Sequence, residues 1–98
     1  MTMMATAPNR RDAQGPLLKP RVLIVEDETA LVELLRYNLE QSGLKVTVAH
    51  DGEEALRAVQ EDVPDLILLD WMLPLMSGIE VCRQLRRQTA TANVPIIM

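Results

Sequence analysis

Two short runs of consecutive apolar residues stand out along the chain, and both end at acidic residues. Residues 22–25 (VLIV) form the first run and residues 66–69 (LILL) form the second. A continuous apolar run of this length, followed at once by charged residues, is typical of a strand buried on both faces of a sheet. We therefore predict two central strands, one that ends before Glu26 and one that ends before Asp70.

Two further segments have patterns that are typical of strands. Residues 44–48 alternate between apolar and polar side chains, which predicts a half-exposed second strand. Residues 94–98 (VPIIM) are mostly apolar, and they predict the start of a fourth strand. The chain therefore has four candidate strands.

The segments between these strands have the spacing of amphipathic helices. A first helix is predicted over residues 30–41, before Gly43, which is a typical helix stop. Asp51 and Ser77 are each followed three residues later by a glutamate, a pattern that predicts the starts of a second and a third helix. The residues expected on the apolar faces are Leu31, Leu34, Leu35, Leu39, Ala55, Leu56, Val59, Ile79, Val81, Cys82 and Leu85.

Strands and helices alternate in the order β-α-β-α-β-α-β. Alternation of this kind predicts an α/β fold with a parallel sheet, helices on both faces and right-handed crossovers. Residues 21–98 make up this domain. Residues 1–20 show no periodicity and are interrupted by prolines and a glycine, so we expect them to form a disordered N-terminal tail.

Charge and cysteine content narrow the range of functions. Residues 21–98 carry thirteen acidic and seven basic side chains, a balance that argues against direct contact with nucleic acid and suits a cation site. Cys82 is the only cysteine, which excludes a disulfide framework and a zinc cluster. No stretch approaches the roughly 20 apolar residues of a membrane span, and we expect a cytoplasmic protein without membrane contact.

Acidic residues at the ends of both central strands predict a single site. In an open parallel sheet, ligands bind beyond the carboxyl ends of the strands, where the strand order reverses. If the two central strands are neighbours, Glu26, Asp27 and Asp70 converge there and repel one another unless a cation lies between them. Carboxylate oxygens suit Mg²⁺. An aspartate beside such an ion can act as a nucleophile toward phosphorus.

Four sequence motifs accompany these residues. They are VEDE at residues 25–28, DLILLDWMLP at residues 65–74, Ser-Gly at residues 77–78 and VPIIM at residues 94–98. Together they resemble the receiver domains of two-component response regulators of the PhoB/OmpR type, over roughly residues 21–98. The resemblance implies a flavodoxin-like, doubly wound parallel sheet of strand order 2-1-3-4-5. We expect this chain to be truncated after the fourth strand, without the fifth strand and the last two helices.

The resemblance also implies a role for each acidic residue. Asp70 would accept a phosphoryl group from a phosphohistidine of a sensor histidine kinase. Asp27 and Asp70 would bind Mg²⁺ directly, Glu26 through water, and Met72 through its main-chain carbonyl. Such a domain modifies itself and is not a turnover enzyme. In the intact protein it would form a receiver homodimer and regulate transcription.

The sequence is compatible with two other functions. A phospho-independent interaction module, or a non-functional receiver fragment, is the main alternative, because the Ser or Thr and the Lys with which receivers contact the phosphoryl group are not found in this chain. A hydrolase of the haloacid dehalogenase type also uses an aspartate at a strand end. That family needs a second aspartate two residues later, where Met72 stands here.

The remaining distinctive residues are expected to be structural or solvent-exposed. Trp71 is predicted to lie partly exposed beside Asp70, and Pro74 and Gly78 to shape the loop that follows. We expect His50 at the surface. Two further expectations are an inert core position for the single cysteine and solvated charges for the three arginines, Arg83, Arg86 and Arg87.

Overall fold

The structure, a computed structural model, describes residues 19–98. The strands are β1 (Arg21–Val25), β2 (Lys45–Ala49), β3 (Leu66–Leu69) and β4 (Ile96–Ile97), and the helices are α1 (Thr29–Gln41), α2 (Gly52–Glu61) and α3 (Gly78–Arg87), followed by a short 3₁₀ helix (Thr89–Thr91). The predicted tail lies outside the described residues except for its last two, Lys19 and Pro20, which are exposed. In the part that is described, no helix is long and apolar enough to cross a bilayer.

The four strands form one parallel sheet in the order β2-β1-β3-β4, which confirms the predicted α/β fold. Val25, the last residue of β1, pairs with Ala49 of β2 on one side and with Leu69 of β3 on the other. β4 is shorter than the predicted segment of residues 94–98. Val94 donates a main-chain hydrogen bond to the Thr91 carbonyl, so it belongs to the turn after the 3₁₀ helix.

Successive residues of β1 face opposite sides of the sheet and contribute to two hydrophobic clusters. Leu23 and Val25 pack with residues of α2 and α3, whereas Val22 and Ile24 pack on the side of α1. None of the four is more than 2% exposed. Because burying one aliphatic side chain stabilises a fold by about 1.5–3 kcal/mol, β1 is a large contributor to the stability of the domain.

Three residues that were expected on apolar helix faces are exposed. Leu31 is 36% exposed and Leu34 is 60% exposed, while Val32 is the buried residue of α1. Ile79 of α3 is 45% exposed. Adjacent residues of a helix point in directions 100° apart. Leu34 lies two positions from the buried Val32, and Ile79 lies two positions from the buried Val81. Each therefore points about 200° away from the buried residue of its helix.

Both predicted helix starts on the second and third helices are confirmed. The Asp51 carboxylate accepts a hydrogen bond from the Glu54 amide (2.8 Å), and the Glu54 carboxylate accepts one from the His50 amide (2.9 Å). The Ser77 hydroxyl accepts a hydrogen bond from the Glu80 amide (3.2 Å). The bonds to Asp51 and Ser77 each satisfy an amide of the first helical turn, which the helix itself leaves without a partner.

The segment after α3 is anchored by side chains that contact main-chain carbonyls. The Arg86 guanidinium donates hydrogen bonds to the carbonyl oxygens of Thr91, Ala92 and Val94, so the expectation that Arg86 is merely solvated is wrong. Thr91 is completely buried, and its hydroxyl donates a 2.6 Å hydrogen bond to the Leu85 carbonyl. These bonds connect the end of α3 to the start of β4.

Candidate functional site

Three carboxylates meet beyond the carboxyl ends of β1 and β3. Glu26 and Asp27 follow β1, and Asp70 follows β3 directly. One carboxylate oxygen from each residue lies within 4.8 Å of the other two. The structure thus brings together the three acidic side chains that the sequence places at the ends of the two central strands.

Main-chain hydrogen bonds place these residues relative to each other. The Asp70 amide donates to the Val25 carbonyl (3.0 Å), and the Glu26 amide donates to the Ala49 carbonyl (3.0 Å). Both bonds continue the strand ladders by one residue beyond the strands themselves. The site is therefore anchored to the sheet on both sides of β1, although its residues lie at the start of loops.

The three carboxylates differ in their access to solvent. Glu26 is buried, Asp70 is half-buried and Asp27 is exposed. Burial raises the pKa of Glu26 above its ordinary value, and the negative charges of Asp70, Asp27 and Glu28 raise it further. The Glu28 amide opposes this shift by donating a hydrogen bond to the Glu26 carboxylate (3.1 Å). The site therefore accumulates negative charge that a bound cation would offset.

This set of donors suits a hard divalent ion. Carboxylate oxygens bind Mg²⁺ readily, and an exposed side of the site leaves room for the waters that this ion keeps. No histidine or cysteine belongs to the cluster, which therefore has no ligand of the kind that zinc prefers. Within residues 19–98, the chemistry of the donors thus fits Mg²⁺.

The loop between β3 and α3 forms an apolar rim beside the carboxylates. Trp71 is 55% exposed, which confirms that it is a partly exposed neighbour of Asp70, and Met72 is 83% exposed. Leu75 is 84% exposed and has a φ of 71°, a left-handed conformation that is uncommon for leucine. The Gly78 amide closes the loop by donating a hydrogen bond to the Trp71 carbonyl (3.0 Å).

The other distinctive residues take no part in the carboxylate cluster. His50 is exposed at the end of β2, as expected. Cys82 is half-buried against the core rather than fully buried. The Glu28 amide, which donates a hydrogen bond to the Glu26 carboxylate, was not predicted from the sequence. The only sign of its role in the sequence is that Glu28 belongs to the acidic run after β1.

Comparisons with known proteins identify the family of the chain. A family model described as the response regulator receiver domain matches residues 22–98. The chain is 54% identical over 79 residues to the phosphate regulon transcriptional regulatory protein PhoB of Rhizobium meliloti (strain 1021), covering 81% of this chain and 35% of that relative. It is 52% identical over 81 residues to the alkaline phosphatase synthesis transcriptional regulatory protein PhoP of Bacillus subtilis (strain 168), covering 83% and 33%.

Solved structures show the same fold. A putative response regulator from Chloroflexus aurantiacus J-10-fl superposes with a TM-score of 0.79 at 33% identity, covering 81% of this chain and 65% of that one. The receiver domain of the sensor histidine kinase PA1611 from Pseudomonas aeruginosa PAO1 has a TM-score of 0.77 at 32% identity, with the same coverage. That structure is described as having a magnesium ion coordinated in its active site cleft.

The match is to one part of the relatives. The chain spans about a third of the length of these two curated regulators and just under two thirds of each of these two solved chains. Within residues 22–98, the family model, the identities and the fold all agree. The chain belongs to the response regulator receiver domain family, and its sequence relatives are regulators of the PhoB/OmpR type.

Proposed function

We propose that this chain is a phosphoaccepting receiver that takes a phosphoryl group on Asp70 in a Mg²⁺-dependent reaction. The donor is a phosphohistidine on a sensor histidine kinase. The observation that carries this proposal is the convergence of the Glu26, Asp27 and Asp70 carboxylates within 4.8 Å at the ends of two paired strands. The family relationship supports the same reading.

Four residues would hold the ion. Asp27 and Asp70 would bind Mg²⁺ directly, Glu26 would bind it through water, and Met72 would contribute its main-chain carbonyl. When bound, Mg²⁺ neutralises negative charge on the phosphoryl oxygens. The raised pKa of Glu26 supports the assignment, because a carboxylate that is short of water and surrounded by negative charge gains most from a nearby cation.

Asp70 has the features of a phosphoryl acceptor. It is half-buried, so solvent still reaches the residue, and its amide is hydrogen-bonded to the Val25 carbonyl. In the transfer, a carboxylate oxygen forms a bond to phosphorus as the bond between phosphorus and the donor imidazole nitrogen breaks. The nitrogen keeps the electron pair of the broken bond, and the product is an acyl phosphate on Asp70. Positioning and charge neutralisation supply most of the catalysis in phosphoryl transfer.

The role of the whole protein is proposed by analogy. Both sequence relatives are named as transcriptional regulatory proteins, and the chain spans about a third of their length. We propose that phosphorylation of Asp70 controls a transcription regulator, and that the intact protein forms a receiver homodimer without DNA contact by this domain. The acidic charge balance of residues 21–98 is consistent with the lack of DNA contact.

Phosphorylation by a small-molecule donor tests the proposal. We expect the full chain, incubated with acetyl phosphate and Mg²⁺, to gain one hydroxylamine-sensitive phosphoryl group that peptide mapping assigns to Asp70. The D70N variant and a sample with EDTA should gain none. The E61Q variant is the matched control, since Glu61 is an exposed acid at the far end of α2. If the wild-type chain gains no adduct although it is folded, the alternative of a phospho-independent interaction module is favoured.

A further inference from the structure

Gly78, the first residue of α3, lies against the main chain of Asp70. It is buried, and a Cβ atom built on it would overlap the Asp70 carbonyl oxygen. The same Cβ would stand 3.0 Å from the Asp70 carbonyl carbon and 3.0 Å from the Trp71 Cα. These are main-chain atoms, which cannot turn aside as a flexible side chain can. Only glycine therefore fits here without moving the acceptor residue.

We propose that Gly78 is a positioning residue for phosphoryl acceptance, which sets the direction of the Asp70 carboxylate by allowing α3 to begin in contact with the Asp70 main chain. This inference rests on the proposed function of Asp70. It goes beyond a general role in shaping the loop, because it assigns the effect to one contact with one functional residue.

Two hydrogen bonds complete the contact. On the side of the sheet, the Asp70 amide donates to the Val25 carbonyl (3.0 Å), and on the side of α3 the Gly78 amide donates to the Trp71 carbonyl (3.0 Å). The first bond restrains the peptide group before the Asp70 Cα, and the second restrains the peptide group that follows Trp71, one residue further along. Because the carboxylate is joined to this Cα by a single methylene, a displacement of the main chain moves the carboxylate away from Glu26 and Asp27.

Two other glycines allow this effect to be separated from general destabilisation. A Cβ on Gly52 would meet the Val81 Cγ2 at 2.7 Å and the Met76 side chain at 3.1 Å. Its clash therefore involves side chains and not the main chain. A Cβ on Gly43 would meet nothing within 4 Å, but Gly43 has a φ of +89° and lies before β2, at the opposite end of the sheet. An alanine at either position disturbs the fold without contact with Asp70.

The experiment compares G78A with G52A and G43A in the full chain. Each variant is titrated with Mg²⁺ while Trp71 fluorescence is followed, and the midpoint is used because the amplitude depends on Trp71 itself. The rate of phosphorylation by acetyl phosphate and the free energy of unfolding are measured on the same samples. Sucrose is added throughout, since it favours the folded state of all variants.

We expect G78A to weaken Mg²⁺ binding by at least about tenfold, as is typical when a group that orients a metal ligand is changed. Its phosphorylation rate should fall by up to about a hundredfold, the loss that a misplacement of about 1 Å can cause. G52A and G43A should keep both properties near wild type although their unfolding free energies fall.

Other outcomes would overturn the inference. It is wrong if G78A, folded in sucrose, binds Mg²⁺ and accepts phosphate like wild type. It is also wrong if all three variants lose function in proportion to their lost stability, or if G78A alone cannot be folded even in sucrose, because the glycine is then only a structural requirement. If wild type itself shows no response to Mg²⁺ or acetyl phosphate, the proposed function has failed first.

Discussion

The amide nitrogen of Asp70 lies 3.0 Å from the carbonyl oxygen of Val25 and donates a hydrogen bond to it. Val25 is the residue immediately before Glu26, so this single bond places the residue that follows β3 beside the acidic residues that follow β1. The carboxylates therefore meet because two strands pair, and the loops only extend from that point. Tests of the site should accordingly separate effects on charge from effects on the sheet.

Replacement of Glu26 by glutamine is expected to stabilise the metal-free chain at pH 7 and to weaken Mg²⁺ binding. Burial raises the pKa of Glu26, so its charged form is less favourable in the folded state than in the unfolded state. Glutamine keeps an oxygen that can accept the hydrogen bond from the Glu28 amide. Urea unfolding in EDTA measures the first effect, and Mg²⁺ titration measures the second.

The same residue predicts a pH dependence. Because the folded-state pKa of Glu26 is raised above 4.5, its ordinary value, the folded chain binds the proton more tightly than the unfolded chain. The Glu26 side chain therefore does not destabilise the fold below pH 4.5, where it is protonated in both states. Its destabilising effect develops as the pH rises from 4.5 through the folded-state pKa. The difference in unfolding free energy between E26Q and wild type should grow over that window. A constant difference across the window, or one equal to that of E61Q, would contradict this.

Mg²⁺ is expected to raise the thermal stability of the wild-type chain and not that of D27N or D70N. An ion that binds only the folded state stabilises it by about 1.4 kcal/mol when its concentration is ten times the dissociation constant. Calorimetry at increasing MgCl₂ measures this shift, with NaCl at equal ionic strength as the control. An equal response of wild type and D70N would mean that the ion binds elsewhere.

Replacement of Thr91 by valine is expected to lower the unfolding free energy by about 1 kcal/mol. Thr91 is completely buried, and its hydroxyl donates to the Leu85 carbonyl at 2.6 Å, a bond that valine cannot form. Chemical denaturation measures the change. T89V is the matched control, because Thr89 is an exposed residue of the same 3₁₀ helix. If both variants are equally stable, the buried bond contributes nothing measurable.

Replacement of Leu75 by glycine is expected to stabilise the loop by about 1 kcal/mol, since a left-handed conformation costs an L-residue about 1–2 kcal/mol and glycine nearly nothing. Leu75 is 84% exposed, so little burial is lost with its side chain. L75A keeps the β carbon and with it the strain, and it should resemble wild type. A gain in L75A as large as in L75G would assign the effect to the exposed apolar side chain instead.

Much of the fold followed from local patterns in the sequence, because those patterns reflect local physics. The apolar run 66–69 is a strand with the same bounds in the structure, and Asp51 and Ser77 cap the helices that follow them. The orientation of α1 did not follow, because Leu34 and Val32 are both apolar and only tertiary packing decides which one is buried. Likewise, nothing in the local sequence shows that Arg86 bonds the carbonyls before β4.

The site could be predicted from the sequence only to the extent that the ends of strands can be recognised in it. Carboxylates after two buried runs predict a convergence if the strands are neighbours, and the structure places β1 next to β3. The contact of Gly78 with the Asp70 main chain could not be predicted in this way. A glycine at the start of a helix has several ordinary explanations, and only three-dimensional proximity distinguishes them.

The pairing of Val25 with Leu69 has a consequence for how such a chain can vary over evolutionary time. A one-residue insertion within β1 would turn every later side chain of that strand to the opposite face and carry both of its acids away from Asp70. Insertions in the turns far from the acids leave this alignment intact. Because Mg²⁺ would bind only the correctly aligned carboxylates, it would also stabilise the correct strand register relative to a shifted one.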